Sequence, residues 1–141
     1  MKLIFSLLLL NASVLCFSIS TAPLQVQIQG AESDRGKILV LIFAGQDGFP
    51  EEVSKAFKQL VLVPKNGNVE FRLDDIPPGK YAITVLHDED DDGLMTTNSF
   101  GLPQEKYGFS NNPKIYFGPP SFEKAAFELK TEPQQVTIML R

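Results

Sequence analysis

Leu24, Val26 and Ile28 alternate with glutamines in LQVQIQ, and this period of two, repeated along the chain, decides the fold class. Successive side chains of a strand point to opposite faces, so an apolar residue at every second position buries one face of a sheet and wets the other. Val69, Phe71 and Leu73 repeat the pattern in NVEFRLD. KILVLIF, from Lys37 to Phe43 behind Gly36, is almost continuously apolar, as expected of a central strand. QLVLVP ends at Pro64 and is followed by the Asn-Gly turn signal of KNGN. KYAITVLHD starts after the break at Ile76-Pro77-Pro78-Gly79, and KAAFELK (residues 124–130) and QVTIML (residues 135–140) complete the strand set. PEEVSKAFKQL, from Pro50, has a proline and two glutamates where a helix starts, with Val53, Ala56, Phe57 and Leu60 on one side; it predicts a short helix packed over a sheet edge. About seven short strands with turn signals at sandwich spacing predict an all-β, antiparallel Greek-key sandwich of the immunoglobulin-like kind, with one short helix and a long ordered loop.

The N-terminus adds a targeting segment. Lys2 precedes the apolar run LIFSLLLLNASVLCF, and Ser18 to Ala22 are small or polar, the build of a secretory signal peptide over residues 1–22. The run is short for a span of about 20 apolar residues and has no positively charged flank after it, so no membrane span is expected once it is cleaved. Leu15 before Cys16 is too bulky for lipidation of that cysteine, and Asn11-Ala12-Ser13, a glycosylation pattern, falls within the signal. Residues 23–141 are then expected to form a single β-sandwich domain, secreted or periplasmic. With Cys16 removed the domain has no disulfide and is held by its core alone. Loss of Lys2 takes the formal charge from -4 to 12 - 17 = -5, which argues against nucleic acid as a partner.

One segment, residues 88–122, does not alternate. It is rich in Gly, Pro and Asn, and only KIYF, Lys114 to Phe117, looks like a strand. A connection this long without regular structure is functional or disordered, and Phe100, Tyr107, Phe109, Tyr116, Phe117 and Phe122 are too many rings for a solvated tail. They predict a loop packed on the body as an added mini-core, in preference to a sugar-stacking platform.

The segment opens with HDEDDDG, residues 87–93, five consecutive carboxylates that would repel one another. Asp88, Asp90 and Asp92 occupy alternate positions with Gly93 next, the D-x-D-x-D-G arrangement in which side chains converge on a hard cation while glycine lets the backbone turn. The Leu94 carbonyl would supply another oxygen, and Glu105 in PQEKYGF would either reach the cation as a further ligand or cap a turn. Ser99 stands where a calcium-binding helix-loop-helix needs a bidentate glutamate, and no helices flank the run, so a strand-borne calcium site is expected instead. The competing reading is a solvated turn. His87, the single histidine, is expected to hold the loop by local hydrogen bonds, since one imidazole among carboxylates is a poor zinc set. Ser110-Asn111-Asn112 is read as turn chemistry before sugar binding. No G-x-S-x-G elbow or nucleophile accompanies His87, so no enzymatic activity is expected.

LDDIPPGKYAITVLHDEDDDGLMTTNSFGLPQEKYGFSNN followed by GPPSFEKAAFEL resembles the bacterial secreted family catalogued as domain of unknown function 2141. The resemblance rests on Pro78-Gly79-Lys80-Tyr81-Ala82, on His87, Asp88, Asp92 and Gly93, on Thr97-Asn98, and on the run from Gly101 to Asn112. It implies a small secreted β-sandwich of the prealbumin or carboxypeptidase-regulatory type, with no established activity. The leading expectation is a calcium-stabilised binding module whose loop recognises a glycan, a peptide or an envelope protein. A hydrolase or transferase with its site in the 88–122 loop, and a structural envelope module without ligand, are the alternatives.

Overall fold

A computed structural model describes residue 21 and residues 23–141; the expected signal peptide, residues 1–22, lies outside the described residues except for residue 21. Eight strands run β1 (Leu24–Gln29), β2 (Lys37–Phe43), β3 (Lys58–Leu62), β4 (Asn68–Leu73), β5 (Gly79–Asp88), β6 (Tyr107–Phe109), β7 (Phe127–Leu129) and β8 (Gln134–Met139). One sheet has the order β4-β1-β8; the other has β3-β2-β5-β6, with β7 also pairing β5. The chain changes sheet between β1 and β2, β3 and β4, β4 and β5, and β7 and β8. This is the all-β sandwich expected from the alternation. The ladders are antiparallel apart from β1–β8, which is parallel. β8 reaches β1 by crossing from the other sheet, so no hairpin dictates its direction.

Each period-two strand buries the face its pattern specifies. Leu24, Val26 and Ile28 are fully buried against Ile38, Val40, Ile42, Ile83 and Val85 of the facing sheet. The intervening glutamines stay on the outer face, where Gln27 donates to Glu70 and accepts from Gln135, both at 2.9 Å. The continuous apolar run of β2 has a different cause: the second sheet is covered on both faces. Leu41 and Phe43 point away from the inter-sheet core into a second cluster with Ala82, Phe109, Phe122, Ala125 and Ala126. Phe49 sits at its centre, with ring centroids 5.5 Å from Phe43, 5.8 Å from Phe122 and 6.0 Å from Phe109.

Three local expectations are corrected. The helix expected from Pro50 is a single 3-10 turn, Val53–Lys55, with no buried residue, and Leu60 belongs to β3. Phe57 N–H donates to Ile42 O at 2.7 Å, so the free edge of β2 draws this stretch into the sheet despite its helical spacing. The one α-helix among the described residues, α1, lies instead at Phe122–Ala125, taking the first two residues of the stretch 124–130 read as a strand; of that stretch only Phe127–Leu129 pairs. KIYF forms no strand: Tyr116 is 76% and Phe117 100% exposed.

Candidate metal centre at the end of β5

The β5–β6 ladder runs Thr84 opposite Phe109 and Leu86 opposite Tyr107, and His87 N–H donates to Lys106 O at 2.8 Å one step further on. Extending this register places Asp88 directly across from Glu105, on the face of the second sheet that points away from the core. Like charges opposite one another on a sheet destabilise it unless something lies between them.

Both carboxylates are held from behind by backbone N–H groups. Asp88 accepts from Asp92 N at 3.2 Å and Gly93 N at 2.8 Å, closing the turn after β5. Asp91 (φ 64°) and Gly93 (φ 78°) take up the left-handed conformation this turn needs; Asp tolerates it better than most side chains, and glycine freely. Glu105 accepts from Glu89 N and Thr96 N, each at 2.9 Å, tying the strand end to the loop that follows. Asp88 is 1% exposed. A carboxylate oxygen has two lone pairs, so these bonds orient the groups while leaving each oxygen capacity for another partner.

Asp90 completes a triad. One oxygen from each of Asp88, Asp90 and Glu105 lies within 4.8 Å of the other two. The Asp90 side chain is exposed, yet lost solvation at the turn, then the Asp92 and Glu105 charges, push its carboxyl above the ordinary value. A groove of about 290 Å³, lined by Arg35, Glu89, Asp90, Thr96, Gln104 and Glu105, opens on two of these carboxylates, Asp90 and Glu105, with Asp88 buried behind them. Three convergent carboxylates form an all-oxygen donor set suited to a hard divalent cation and unsuited to a soft one.

The other acids of the run have separate partners. Glu89 takes a hydrogen bond from the Ser33 hydroxyl and lies 3.5 Å from Arg35; the Ser33 bond is the main reason its carboxyl sits below the usual range. Asp91 pairs with Lys37 at 2.7 Å. Asp92, expected to be a ligand, lies outside the triad because its carboxylate accepts from Leu94 N at 2.7 Å, a local turn bond that competes with convergence. Leu94 donates its N–H to this turn, and its side chain is 68% exposed. Ser33, Arg35 and Lys37 had no sequence signal as partners of the run; they arrive through the β2–β5 pairing, from more than fifty positions away.

His87 is fully buried beneath the turn. Its Nδ1 accepts from Glu32 N at 3.2 Å, which assigns the proton to Nε2, 2.9 Å from Arg35 O. Both ring nitrogens are engaged structurally, as expected, but they hold the 31–36 connection against β5 from more than fifty positions away and make no bond within the acidic loop that His87 was expected to hold. Gly36 makes that approach possible: an added Cβ would lie 2.0 Å from the Asp88 carbonyl oxygen.

Further along, Ser110-Asn111-Asn112 acts as a clamp. The buried Ser110 hydroxyl accepts from Ile83 N at 2.8 Å and donates to Ala125 O at 2.6 Å. Asn111 donates to Ala126 O, and Asn112 bonds both Thr137 O and Met139 N. Of the six aromatics expected to form a mini-core, Tyr107, Phe109 and Phe122 do so; Phe100, Tyr116 and Phe117 stay in solvent. Phe100 is held there, since Asn98 Oδ1 accepts from Phe100 N at 2.9 Å and Leu102 N at 3.0 Å to shape the tip.

The fold and this junction define a small all-β sandwich with a carboxylate triad at one end of its second sheet. The chain belongs to the family described as uncharacterized protein conserved in bacteria (DUF2141), whose model matches residues 26–137. No curated protein and no solved structure matches it.

Proposed function

We propose that this protein is a non-enzymatic binding module, secreted or periplasmic, whose β5 junction is stabilised by calcium. Asp88, Asp90 and Glu105 hold the ion, with water or backbone oxygen filling the rest of a shell of six to eight oxygens. The observation that carries this reading is the convergence of these three carboxylates, two of them oriented by paired backbone N–H groups. Calcium would supply positive charge where Asp88 and Glu105 face each other, and would tie β5, β6 and the 89–104 connection together. The recognition surface is the solvent-exposed part of the long connection, where Phe100, Tyr116 and Phe117 suit the stacking faces of a glycan or the apolar side chains of a peptide or envelope protein.

Calorimetric titration of the purified, EGTA-treated protein with calcium tests the site. One ion should bind per chain, with the affinity of an extracellular module, Kd about 10⁻⁴ to 10⁻³ M. Asp90→Asn and Glu105→Gln should each weaken it, whereas Asp92→Asn should change it little. No binding heat in the wild-type protein, or equal loss from all three variants, would remove the triad as the site.

A further inference from the structure

An exposed sheet edge is a row of unpaired backbone groups, a template for another strand unless charge, irregularity or a covering segment blunts it. The strands of this sandwich differ in how they are protected. β8 is covered by Asn112, whose side chain bonds Thr137 O and Met139 N, and its end meets β6 through Arg141 N to Tyr107 O at 3.0 Å and Tyr107 N to Arg141 O at 3.3 Å. β7 is covered by Gln134, which donates to Glu128 O. β4 presents Asn68, Glu70 and Arg72 to solvent. β3 carries one charge, Lys58, at its start, and no described residue's side chain caps the backbone of its outer edge. Among the described residues, the backbone of Lys58–Leu62 has no hydrogen-bond partner beyond β2.

Beyond Lys58 and Gln59 at its start, β3 carries apolar side chains on both faces. Val61 is 52% and Val63 73% exposed on the outer face, and Leu60 and Leu62, which point inward, are only partly buried because no strand lies beyond them. Val61 also ends a cross-strand row, Tyr107–Leu86–Leu39–Val61, that crosses the whole second sheet on its outer face.

We propose that β3 pairs antiparallel with β3 of a second copy of this chain, about a twofold axis at Val61. The sequence is self-complementary in that register. Val61 faces Val61 of the partner subunit, Leu60 and Leu62 face each other, Gln59 faces Val63, and Lys58 falls opposite Pro64. No like charges meet, which matters for a chain of formal charge -4, and the single charge in the strand, Lys58, is already paired with Asp75 of its own chain at 2.8 Å. The two apolar rows join end to end, and the inward leucines gain the neighbours they lack. Pairing between copies also satisfies the free backbone groups. An edge contact of this length is smaller than a standard interface of roughly 1,200–2,000 Å², so the dimer is a weak one that dissociates on dilution.

Sedimentation velocity on the purified protein over a wide concentration range, with amide hydrogen exchange at both ends of that range, tests this. The expected result is a reversible monomer–dimer equilibrium with concentration-dependent protection of the β3 amides. Val61→Lys, at an exposed position, should preserve the melting midpoint and weaken association roughly 100-fold, because two lysines would meet at the axis. Met139→Lys, on the covered β8 edge, should leave association unchanged. A monomer at every concentration overturns the proposal, as does a dimer that survives Val61→Lys. Protection of β3 that does not vary with concentration would assign the edge to another segment of the same chain and overturn it equally.

Discussion

The space between the sheets and the long connection after β5 are ordered by different forces. Between the sheets, alternating aliphatic side chains meet across two regular faces, and burial alone supplies the order. Residues 89–121 have no such periodicity. They are fixed where side chains bond backbone: Asp88 and Glu105 at one end, Ser110, Asn111 and Asn112 at the other, with a few rings packed around Phe49 in between. Parts beyond those clamps, the Phe100 tip and Tyr116–Phe117, face solvent. Aliphatic alternation tolerates substitution by volume, whereas a clamp fails when one donor or acceptor is removed.

Substitutions along the connection break or sharpen that contrast. The largest effect is expected at Gly36, which has φ 67° and backbone in the way of any side chain. Gly36→Ala should cost about 4 kcal/mol or more in urea unfolding, since it forces the 31–36 connection off the end of β5. Phe49→Ala should cost about 2–4 kcal/mol by removing the hub of the ring cluster, while Phe117→Ala should stay within about 0.5 kcal/mol. If the two cost the same, the division of the connection into packed and solvated parts is wrong. Ser110→Ala strands Ile83 N and Ala125 O in the interior and should cost about 1–3 kcal/mol, close to a core truncation although it deletes a single oxygen.

The smallest expected effect is electrostatic. The Asp90 carboxyl is raised above its ordinary value, so its protonated form is favoured in the folded protein. The stability this gives is complete below the unfolded value and is lost as pH rises through the folded one; Glu89, held low, behaves oppositely and loses its contribution as pH falls. In EGTA at neutral pH, Asp90→Asn should therefore raise the melting midpoint slightly, and the gain should shrink in high salt.

The strands were legible because their residues report burial directly: β1 and β4 by alternation, β2 by a run that fits burial on both faces. Asp88 and Asp90 were legible as candidate oxygen donors from type and spacing; Glu105 lay outside that spacing and was open between ligand and turn cap, and the bonds it accepts from Glu89 N and Thr96 N are those of a cap. Asp92 shared that spacing, but a bond to N–H two residues on is as available to an aspartate as a cation is, and spacing does not distinguish the two. Phe49 lay in the irregular stretch QDGFP and gave no sign of its partners: Phe43 is six residues back, and Phe109 and Phe122 come from distant segments. Val53, Ala56, Phe57 and Leu60 matched a helix, yet an edge of β2 needing a partner outweighed that local preference.

The central claim is that the Asp88–Asp90–Glu105 triad is a cation site that fastens the connection to the sheet. Thermal melting in EGTA and in millimolar calcium, on the wild-type protein and on Asp90→Asn, tests it most directly. Calcium should stabilise the wild type by on the order of 1 kcal/mol, read as a higher midpoint, and do much less for the variant, reversing their order in EGTA. Midpoints that ignore calcium in both proteins would contradict the account and leave the triad as a set of turn caps.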